Sequence, residues 1–302
     1  MTNRVVITGI GGVSSIGMSV PEIYNSFREG KSGIGQLEFP DVTRLKVNTG
    51  GQIKNFNPSD HFELQLVGRM DRFSQFALLA ANEAIKNSGL ANSDKGWSEN
   101  AGVILGSSIG GIETINNSYK QVYEEGHNRL HPLTIPKIMN NSATSLISIE
   151  FQIQGPSFTV SSACSSANHA MGLAYETIKY KKSDIIITGG AESFLNFGGI
   201  KPWESLRVLS PSKCRPFSKE RDGLVLGEGA GIFVFESLDS AKKRKAEIIA
   251  EVAGFSMSSD ASDLIKPNSI GPQKALNGVL KNGMINKTCL LYTSPSPRDN
   301  TT

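Results

Sequence analysis

The sequence predicts an α/β fold in which short strands alternate with helices along the chain. Apolar runs rich in β-branched residues are separated by amphipathic stretches of helical period, the pattern of a largely parallel sheet covered by helices. A length of 302 residues, with 38% hydrophobic and 20% charged residues, is that of a soluble globular protein with one large core or two domains.

The apolar runs define the strands, and the amphipathic stretches define the helices. The predicted strands are Arg4–Ile10, Ala101–Ser107, Ser157–Ala163, Asp184–Gly189, Gly231–Glu236 and Ile248–Phe255. The predicted helices are Pro21–Glu29, Arg69–Ser88, Ile112–Glu124, Ile135–Phe151, Cys164–Tyr180, Ser240–Arg244 and Pro272–Lys281. The second of these helices is followed by Gly89, a residue type that commonly ends helices.

The charge balance excludes several classes of partner. The net charge is only +3, from 31 basic and 28 acidic residues, so neither nucleic acid nor a membrane is predicted as a partner, whereas an acidic protein is allowed. The N-terminal apolar run Val5–Ile7 is too short for a signal peptide, which predicts a cytoplasmic protein. The segment Phe151–Tyr175 contains no charged residue but is too polar to span a membrane, so we expect deeply buried backbone there.

The last residues, 287–302, differ from everything before them. Their Ser, Pro and Thr content cannot form a core, and they look like the translated end of a sequencing adaptor. We therefore expect the native sequence to end near Asn286.

The glycine clusters do not predict a nucleotide site. Gly30–Ser32 is similar to the end of a phosphate-binding loop, but Asn25 stands where that loop needs glycine. Gly9–Gly11 is interpreted as a tight turn, and Gly227–Gly231 as a place where backbones approach closely. The histidines have no metal-binding spacing, so neither a metal nor another cofactor is predicted.

Cys164 stands where the serine-rich strand Ser157–Ala163 passes directly into a helix of small residues. This order places the thiol at a sharp strand-to-helix turn, as in a nucleophile elbow, although the GxSxG residues of the hydrolases are absent. The helix N-terminus favours the anion of the thiol, and Lys179–Lys182 suit the opposite end of the helix dipole. The small residues predict a helix packed closely on all sides at the centre of the fold.

Other roles for the cysteines and for a nearby histidine stay open at this point. Cys164 taken alone would fit equally well as a small buried hydrophobe. Cys214 lies in a polar loop with no helix after it, which favours a structural role, and Cys289 belongs to the excluded tail. His169, five residues after Cys164, points away from the thiol on a helix and is interpreted as a packed or hydrogen-bonded structural residue.

Short motifs spread along the chain point to one family. They are Val5–Gly11, Met70–Phe73, Gly106–Gly111, Gly155–Ser157, Ser162–Ser166, Gly189–Glu192, Arg215–Gly223, Gly227–Gly231 and Ser258–Ala261. In this order the series resembles the β-ketoacyl-acyl-carrier-protein synthases of the elongating type, which belong to the thiolase-like superfamily. The resemblance favours Cys164 as the nucleophile.

The resemblance implies a thiolase-like αβαβα fold of two similar halves. Residues 1–247 would form the first half, residues 248–286 would begin the second, and 287–302 would be a non-native tail. It also implies a decarboxylative Claisen condensation in fatty-acid or polyketide synthesis. Cys164 would accept an acyl group from acyl carrier protein before malonyl-carrier protein binds, with its own N–H as one oxyanion donor, in an enzyme that is a homodimer.

The resemblance places the rest of the catalytic site later in the chain. In the family, two histidines, a lysine and a phenylalanine loop from the second half complete the site, and they match positions beyond Asn286. We therefore expect a C-terminally truncated chain that is unable to complete condensation.

Four further residues are candidates for substrate contacts. Ile109 matches a position that lines the acyl pocket near the family's dimer interface, and is expected to limit chain length; simple packing of its loop is the alternative. Arg69, Arg72 and Arg207 are candidates for docking the acidic carrier protein, because guanidinium groups bind phosphates and carboxylates well. Solvated surface charge is the alternative for these arginines.

Three other functions remain as alternatives. A thiolase shares the fold and the nucleophile but uses coenzyme A and a second, late cysteine; Arg215–Gly223 and the context Ser162–Ser166 favour the synthase. A non-catalytic chain-length partner of a heterodimeric synthase usually lacks the cysteine, so Cys164 argues against it. A cysteine hydrolase would need a histidine within reach, which the sequence does not show.

Overall fold

The computed structural model describes residues 2–93 and 96–284. Its strands are β1 (Val5–Ser14), β2 (Gly35–Gln36), β3 (Thr49–Gly50), β4 (Gly102–Gly106), β5 (Ser157–Val160), β6 (Ile185–Glu192), β7 (Gly229–Ser237) and β8 (Ala250–Val252). Its α-helices are α1 (Val20–Arg28), α2 (Leu64–Val67), α3 (Arg72–Asn87), α4 (Trp97–Asn100), α5 (Ile112–Tyr123), α6 (Thr134–Ile138), α7 (Ser142–Phe151), α8 (Ser166–Lys179), α9 (Phe197–Ser205), α10 (Leu238–Lys243) and α11 (Ile270–Gly283). The predicted tail 287–302, with Cys289, lies outside the described residues.

The central sheet has the strand order β5-β4-β6-β7-β1-β8, and its two sides differ in strand direction. β4 pairs in parallel with β5 and β6, whereas β7 pairs antiparallel with β6 and β1, and β8 pairs antiparallel with β1. The prediction of a largely parallel sheet is therefore wrong. An apolar run shows that a strand is buried but not which way it points, and here β7 runs back between β6 and β1.

Helices cover both faces of the sheet. On β4, Val103 and Leu105 join a core with α3 and α7, whereas Ile104 between them joins a second core with α8. Ile186 on β6 faces α8 in the same way. Because side chains alternate between the faces of a strand and both faces are covered here, these strands appear in the sequence as continuous apolar runs.

Glycines let backbones approach each other around β1. A Cβ atom on Gly11 would lie only 1.9 Å from the carbonyl oxygen of Ala80 in α3. The tight turn predicted for Gly9–Gly11 is wrong, because β1 continues through these residues in pairing with β7. The close approach predicted for Gly227–Gly231 is confirmed, since a Cβ on Gly229 would lie 2.3 Å from a carbonyl oxygen of β1.

Local capping and tertiary contacts change the limits of two predicted helices. α3 begins at Arg72 rather than Arg69, because the Asp71 carboxylate accepts a hydrogen bond from an N–H of the first turn at 3.3 Å. The predicted helix Ile135–Phe151 is divided into α6 and α7. Between them, the Asn140 amide donates to a carbonyl oxygen of the loop after β4 at 3.3 Å, which holds the chain away from a continuous helix.

The charge-free segment Phe151–Tyr175 is not the deeply buried backbone that the sequence predicts. β5 lies at the edge of the sheet, and Phe158 on it is 42% exposed. The helix that follows, α8, buries one face that includes Ala170 and Ala174, rather than being enclosed on all sides. The lack of charge therefore marks an edge strand and a half-buried helix.

Candidate active site at the strand–helix turn

The turn between β5 and α8 presents Cys164 at the surface. Ala163 has a φ angle of 50°, in the left-handed region, which redirects the chain just before the thiol. The Ser166 hydroxyl donates to the Ala163 carbonyl at 2.6 Å, and the N–H of the same serine donates to it at 3.1 Å. These bonds fix the turn, so α8 begins at Ser166 rather than at Cys164, and the exposed thiol precedes its first turn.

The first turn of α8 lies directly against the ends of two strands. β4 and β6 pair Gly106 with Gly190. A Cβ atom on Gly106 would lie 2.2 Å from the carbonyl carbon of Ser166, and one on Gly190 would lie 2.7 Å from the Cβ of Ala167. The missing side chains thus make room for the helix N-terminus at the carboxyl ends of parallel strands, the edge where α/β proteins commonly bind ligands.

Cys164 and Ile109 line the same pocket, which has a volume of about 400 Å³. Phe194, Trp203 and Glu192 form other parts of its wall. Ile109 belongs to the loop between β4 and α5 and is 37% exposed. An acyl group attached to the thiol would therefore start in a partly apolar pocket that includes Ile109.

His169 is both hydrogen bonded and packed. Its Nδ1 lies 2.7 Å from the Oγ of Ser162, and its ring meets the edge of Phe255 with ring centroids 6.4 Å apart. Phe255 also covers α8 at Gly172, where a Cβ atom would lie 2.2 Å from the phenyl ring. The histidine thus supports the turn before Cys164, in agreement with the structural role that the sequence indicates.

The arginines predicted to dock a carrier protein have different surroundings. Arg69 and Arg207 are exposed, and neither is among the described residues that line the Cys164 pocket. Arg72 forms an ion pair with Glu228 at 2.8 Å and donates to the Ile53 carbonyl at 2.8 Å. A docking role for Arg72 is therefore not supported, because its guanidinium is already bound inside the protein.

The second free cysteine of the described residues, Cys214, is also exposed. It lies in a loop with no helix directly after it and is not among the residues that line the Cys164 pocket. Its exposure does not support the structural role predicted for it. Cys214 does provide a reference thiol without the helix N-terminus that follows Cys164.

Two carboxylates in and near the site are absent from the sequence-based candidates. Glu192 lines the Cys164 pocket and accepts the Ser108 N–H at 2.7 Å. Glu228, besides binding Arg72, accepts the Ser193 hydroxyl at 2.7 Å. The sequence offers two signals for Glu192: it is an acidic residue at the end of an apolar strand, and it closes the motif Gly189–Glu192.

Within 2–93 and 96–284, no group of three or more His, Cys, Asp or Glu side chains is arranged to hold a metal ion. Nor does any helix of these ranges combine the length and the apolar character that crossing a membrane requires.

Solved ketosynthase structures share this fold. The ishigamide ketosynthase/chain length factor superposes with a TM-score of 0.88 at 31% sequence identity, covering 95% of this chain and 72% of that chain. A β-ketoacyl synthase from Burkholderia phymatum STM815 gives a TM-score of 0.85 at 29% identity, covering 94% of this chain and 71% of that one. The fold is therefore thiolase-like.

The sequence comparisons identify the family. Residues 2–241 match the family model for the beta-ketoacyl synthase, N-terminal domain. Nodulation protein E of Rhizobium sp. (strain N33) is 41% identical over 286 residues, which cover 95% of this chain and 71% of that protein. The 3-oxoacyl-[acyl-carrier-protein] synthase 2 of Staphylococcus aureus (strain N315) is 38% identical over 269 residues, which cover 87% of this chain and 65% of that protein. The chain belongs to the β-ketoacyl synthase family.

Proposed function

We propose that the protein is a β-ketoacyl-acyl-carrier-protein synthase, an acyltransferase of fatty-acid or polyketide synthesis, with Cys164 as its acyl acceptor. The observation that carries the proposal is the exposed thiol before the first turn of α8, in one pocket with Ile109. The names of two similar proteins support carrier-bound substrates: a 3-oxoacyl-[acyl-carrier-protein] synthase, and a type II PKS acyl-carrier protein in complex with its ketosynthase.

The first half-reaction forms an acyl-enzyme. The Cys164 thiol gives up its proton, and the thiolate attacks the carbonyl carbon of the carrier thioester to form a new C–S bond. The C–S bond to phosphopantetheine then breaks, and the departing phosphopantetheine thiolate takes up the proton that Cys164 released. The N–H of Cys164 donates to the oxyanion of the tetrahedral intermediate. The close contact of α8 with Gly106 fixes the N-terminus of the helix next to the thiol.

The second half-reaction extends the acyl chain. Malonyl-carrier protein loses carbon dioxide, and the electron pair left on its α-carbon attacks the carbonyl carbon of acyl-Cys164. A C–C bond forms, the C–S bond breaks, and the thiolate is regenerated beside a β-ketoacyl chain that is two carbons longer. The family resemblance assigns stabilisation of the enolate to two histidines of the second half of the fold.

Acylation of Cys164 tests the first half-reaction. The protein is incubated with acyl-carrier protein, digested, and analysed by mass spectrometry. We expect an adduct of the acyl mass on the peptide that contains Cys164, no adduct in Cys164→Ala, and an unchanged adduct in Cys214→Ala. An adduct of equal yield in the Cys164→Ala variant would contradict the proposal.

Malonyl-carrier protein tests the second half-reaction separately. Acylated protein is mixed with it, and both the release of carbon dioxide and the lengthened product are measured. In a protein that carries both halves of the fold, we expect carbon dioxide and a product two carbons longer, and no lengthened product in its Cys164→Ala variant. An equal yield of the β-ketoacyl product from both proteins would contradict the proposal.

The proposed protein partner is acyl carrier protein, bound through Arg69 and Arg207, and the proposed assembly is a homodimer in the cytoplasm. The alternative is a non-catalytic chain-length partner, because one similar solved structure is named as a ketosynthase/chain length factor. The exposed Cys164 favours the synthase. A folded protein that binds carrier protein without ever becoming acylated would favour the alternative.

A further inference from the structure

The loop that carries Ile109, residues 107–111, is held by Glu192. β4 and β6 pair Gly106 with Gly190, so two residues further along both chains Glu192 lies beside Ser108. The Glu192 carboxylate accepts the Ser108 N–H at 2.7 Å, and the hydroxyl of the same serine also donates to it. Hydrogen bonds to a carboxylate are stronger than those between neutral groups, so this is the strongest polar contact of the loop.

The rest of the loop backbone is fixed by neutral hydrogen bonds. The Ser107 hydroxyl accepts the Gly110 N–H at 3.1 Å, and the Asn140 amide donates to the Ser107 carbonyl at 3.3 Å. The N–H of Gly111 donates to the Ile138 carbonyl at 3.2 Å. Ile109 lies between these hydrogen-bonded residues of the loop. The position of the loop therefore determines how far the Ile109 side chain enters the pocket.

The same loop is joined to the turn that carries the thiol. The Ser161 hydroxyl donates to the Ser108 carbonyl at 3.3 Å, three residues before Cys164. Ser108 therefore binds Glu192 through its N–H and hydroxyl, and the nucleophile turn through its carbonyl. Loss of the carboxylate would free the loop on one side only and leave its bond to the turn in place.

We propose that Glu192 is a positioning residue that keeps Ile109 in the acyl pocket and thereby limits the length of chain that Cys164 accepts. This inference rests on the proposed function and adds a specificity determinant to it. With the carboxylate removed, Ile109 moves aside more easily and long acyl chains enter. A short chain fills less of this pocket, so its transfer to Cys164 should be unchanged.

The test compares the transfer of acetyl and palmitoyl groups from carrier protein to Cys164, followed by mass spectrometry. The palmitoyl-to-acetyl ratio of rates is expected to rise about tenfold in Glu192→Ala, which corresponds to the loss of one charge-assisted hydrogen bond. Glu192→Gln keeps an acceptor for the Ser108 N–H and should give a smaller rise, as should Ser108→Ala. Glu150→Gln, at an exposed position on α7, is the matched control and should keep the ratio of the unmodified protein.

Two results would overturn the inference. One is an unchanged ratio in Glu192→Ala. The other is an equal loss of rate for both chain lengths at an unchanged denaturation midpoint, since a positioning role acts on long chains alone. If Glu192→Ala does not fold, Glu192→Gln and Ser108→Ala carry the test, and an unchanged ratio in both refutes the inference. Absence of any adduct in the unmodified protein refutes the proposed function itself.

Discussion

Gly106 lies directly beneath the first turn of α8, where a Cβ atom on it would be 2.2 Å from the carbonyl carbon of Ser166. The next nearest atom, at 2.3 Å, is the backbone nitrogen of Ala167. Both neighbours are main-chain atoms, which cannot rotate away as the end of a side chain would. This contact therefore sets the distance between the sheet and the helix that follows Cys164.

Replacing Gly106 with Ala should push α8 away from the sheet. We expect the free energy of unfolding to fall by about 1–3 kcal/mol, the usual effect of overpacking, and the acylation of Cys164 to slow. Chemical denaturation and the adduct assay measure the two effects. Gly35→Ala is the matched control, because a Cβ atom there meets nothing within 4 Å. Equal effects of the two substitutions would show that the contact at Gly106 is not limiting.

Shortening Ile109 should lengthen the chains that Cys164 accepts. Ile109→Gly removes the apolar side chain from the pocket wall, so the profile of acyl adducts should extend to longer chains with little change for short ones. The measurement is the adduct yield across a series of acyl-carrier proteins. An unchanged profile would mean that Ile109 only packs within its loop.

The buried ion pair of Arg72 should matter far more to stability than an exposed pair. The side chain of Glu228 is only 1% exposed, so Arg72→Met would leave a carboxylate buried without its partner. We expect a loss of about 3–5 kcal/mol in the free energy of unfolding. The matched control is Arg4→Met, whose ion pair with Glu251 is exposed and should contribute little. Similar denaturation midpoints for both variants would contradict this expectation.

Glu113 should make the protein less stable as the pH rises. Burial, and secondly the Asp71 carboxylate, raise the pKa of Glu113 above its usual 4.5, and Arg72 only partly opposes them. The folded state therefore holds the proton more tightly than the unfolded state. The stabilisation of the folded state by protonated Glu113 is fully present below pH 4.5 and is lost as the pH rises through the pKa of Glu113 in the folded state.

Glu113→Gln removes this ionisation. The variant should be more stable than the unmodified protein at neutral pH, and the difference should shrink as the pH falls towards 4.5. Denaturation midpoints across this pH range measure it, with exposed Glu124→Gln as the control. A difference that does not vary with pH would show that ionisation of Glu113 is not its cause.

Arg69→Ala and Arg207→Ala should weaken binding of acyl carrier protein and reduce the dependence of that binding on salt. Both side chains are exposed, and interactions between exposed charges are screened by salt. Titration with carrier protein at several ionic strengths measures the effect, with Arg28→Ala on α1 as the control. Unchanged binding in both variants would dismiss a docking role.

The sequence predicts the main strands of the central sheet and the place of Cys164 at a strand-to-helix turn, because both depend on local patterns. Continuous apolar runs mark β4 and β6, and the direct passage from strand to helix marks Cys164. α9 is not predicted, since Gly198, Gly199 and Pro202 are typical of a loop. The Asn196 side chain caps this helix by accepting the Gly199 N–H at 2.9 Å.

The contacts that define the rest of the site lie too far apart in the sequence to be predicted from it. Glu192 and Ser108 are separated by 84 residues, and Arg72 and Glu228 by 156. In both pairs, the sequence alone is compatible with a charged side chain on the solvated surface. The fold instead brings a distant residue close enough to bind it. Strand direction is missed for a similar reason, because it depends on which strands become neighbours.

Phe255 lies against the backbone of α8 at Gly172. On the sheet, Gly106 lies against the first turn of the same helix. The helix is thus held at two points, one at its first turn and one near its middle. A thioester that reaches Cys164 would therefore meet a helix whose position is already fixed by packing against the sheet and against Phe255. Heating that releases Phe255 from α8 should abolish the acylation of Cys164 at the same temperature.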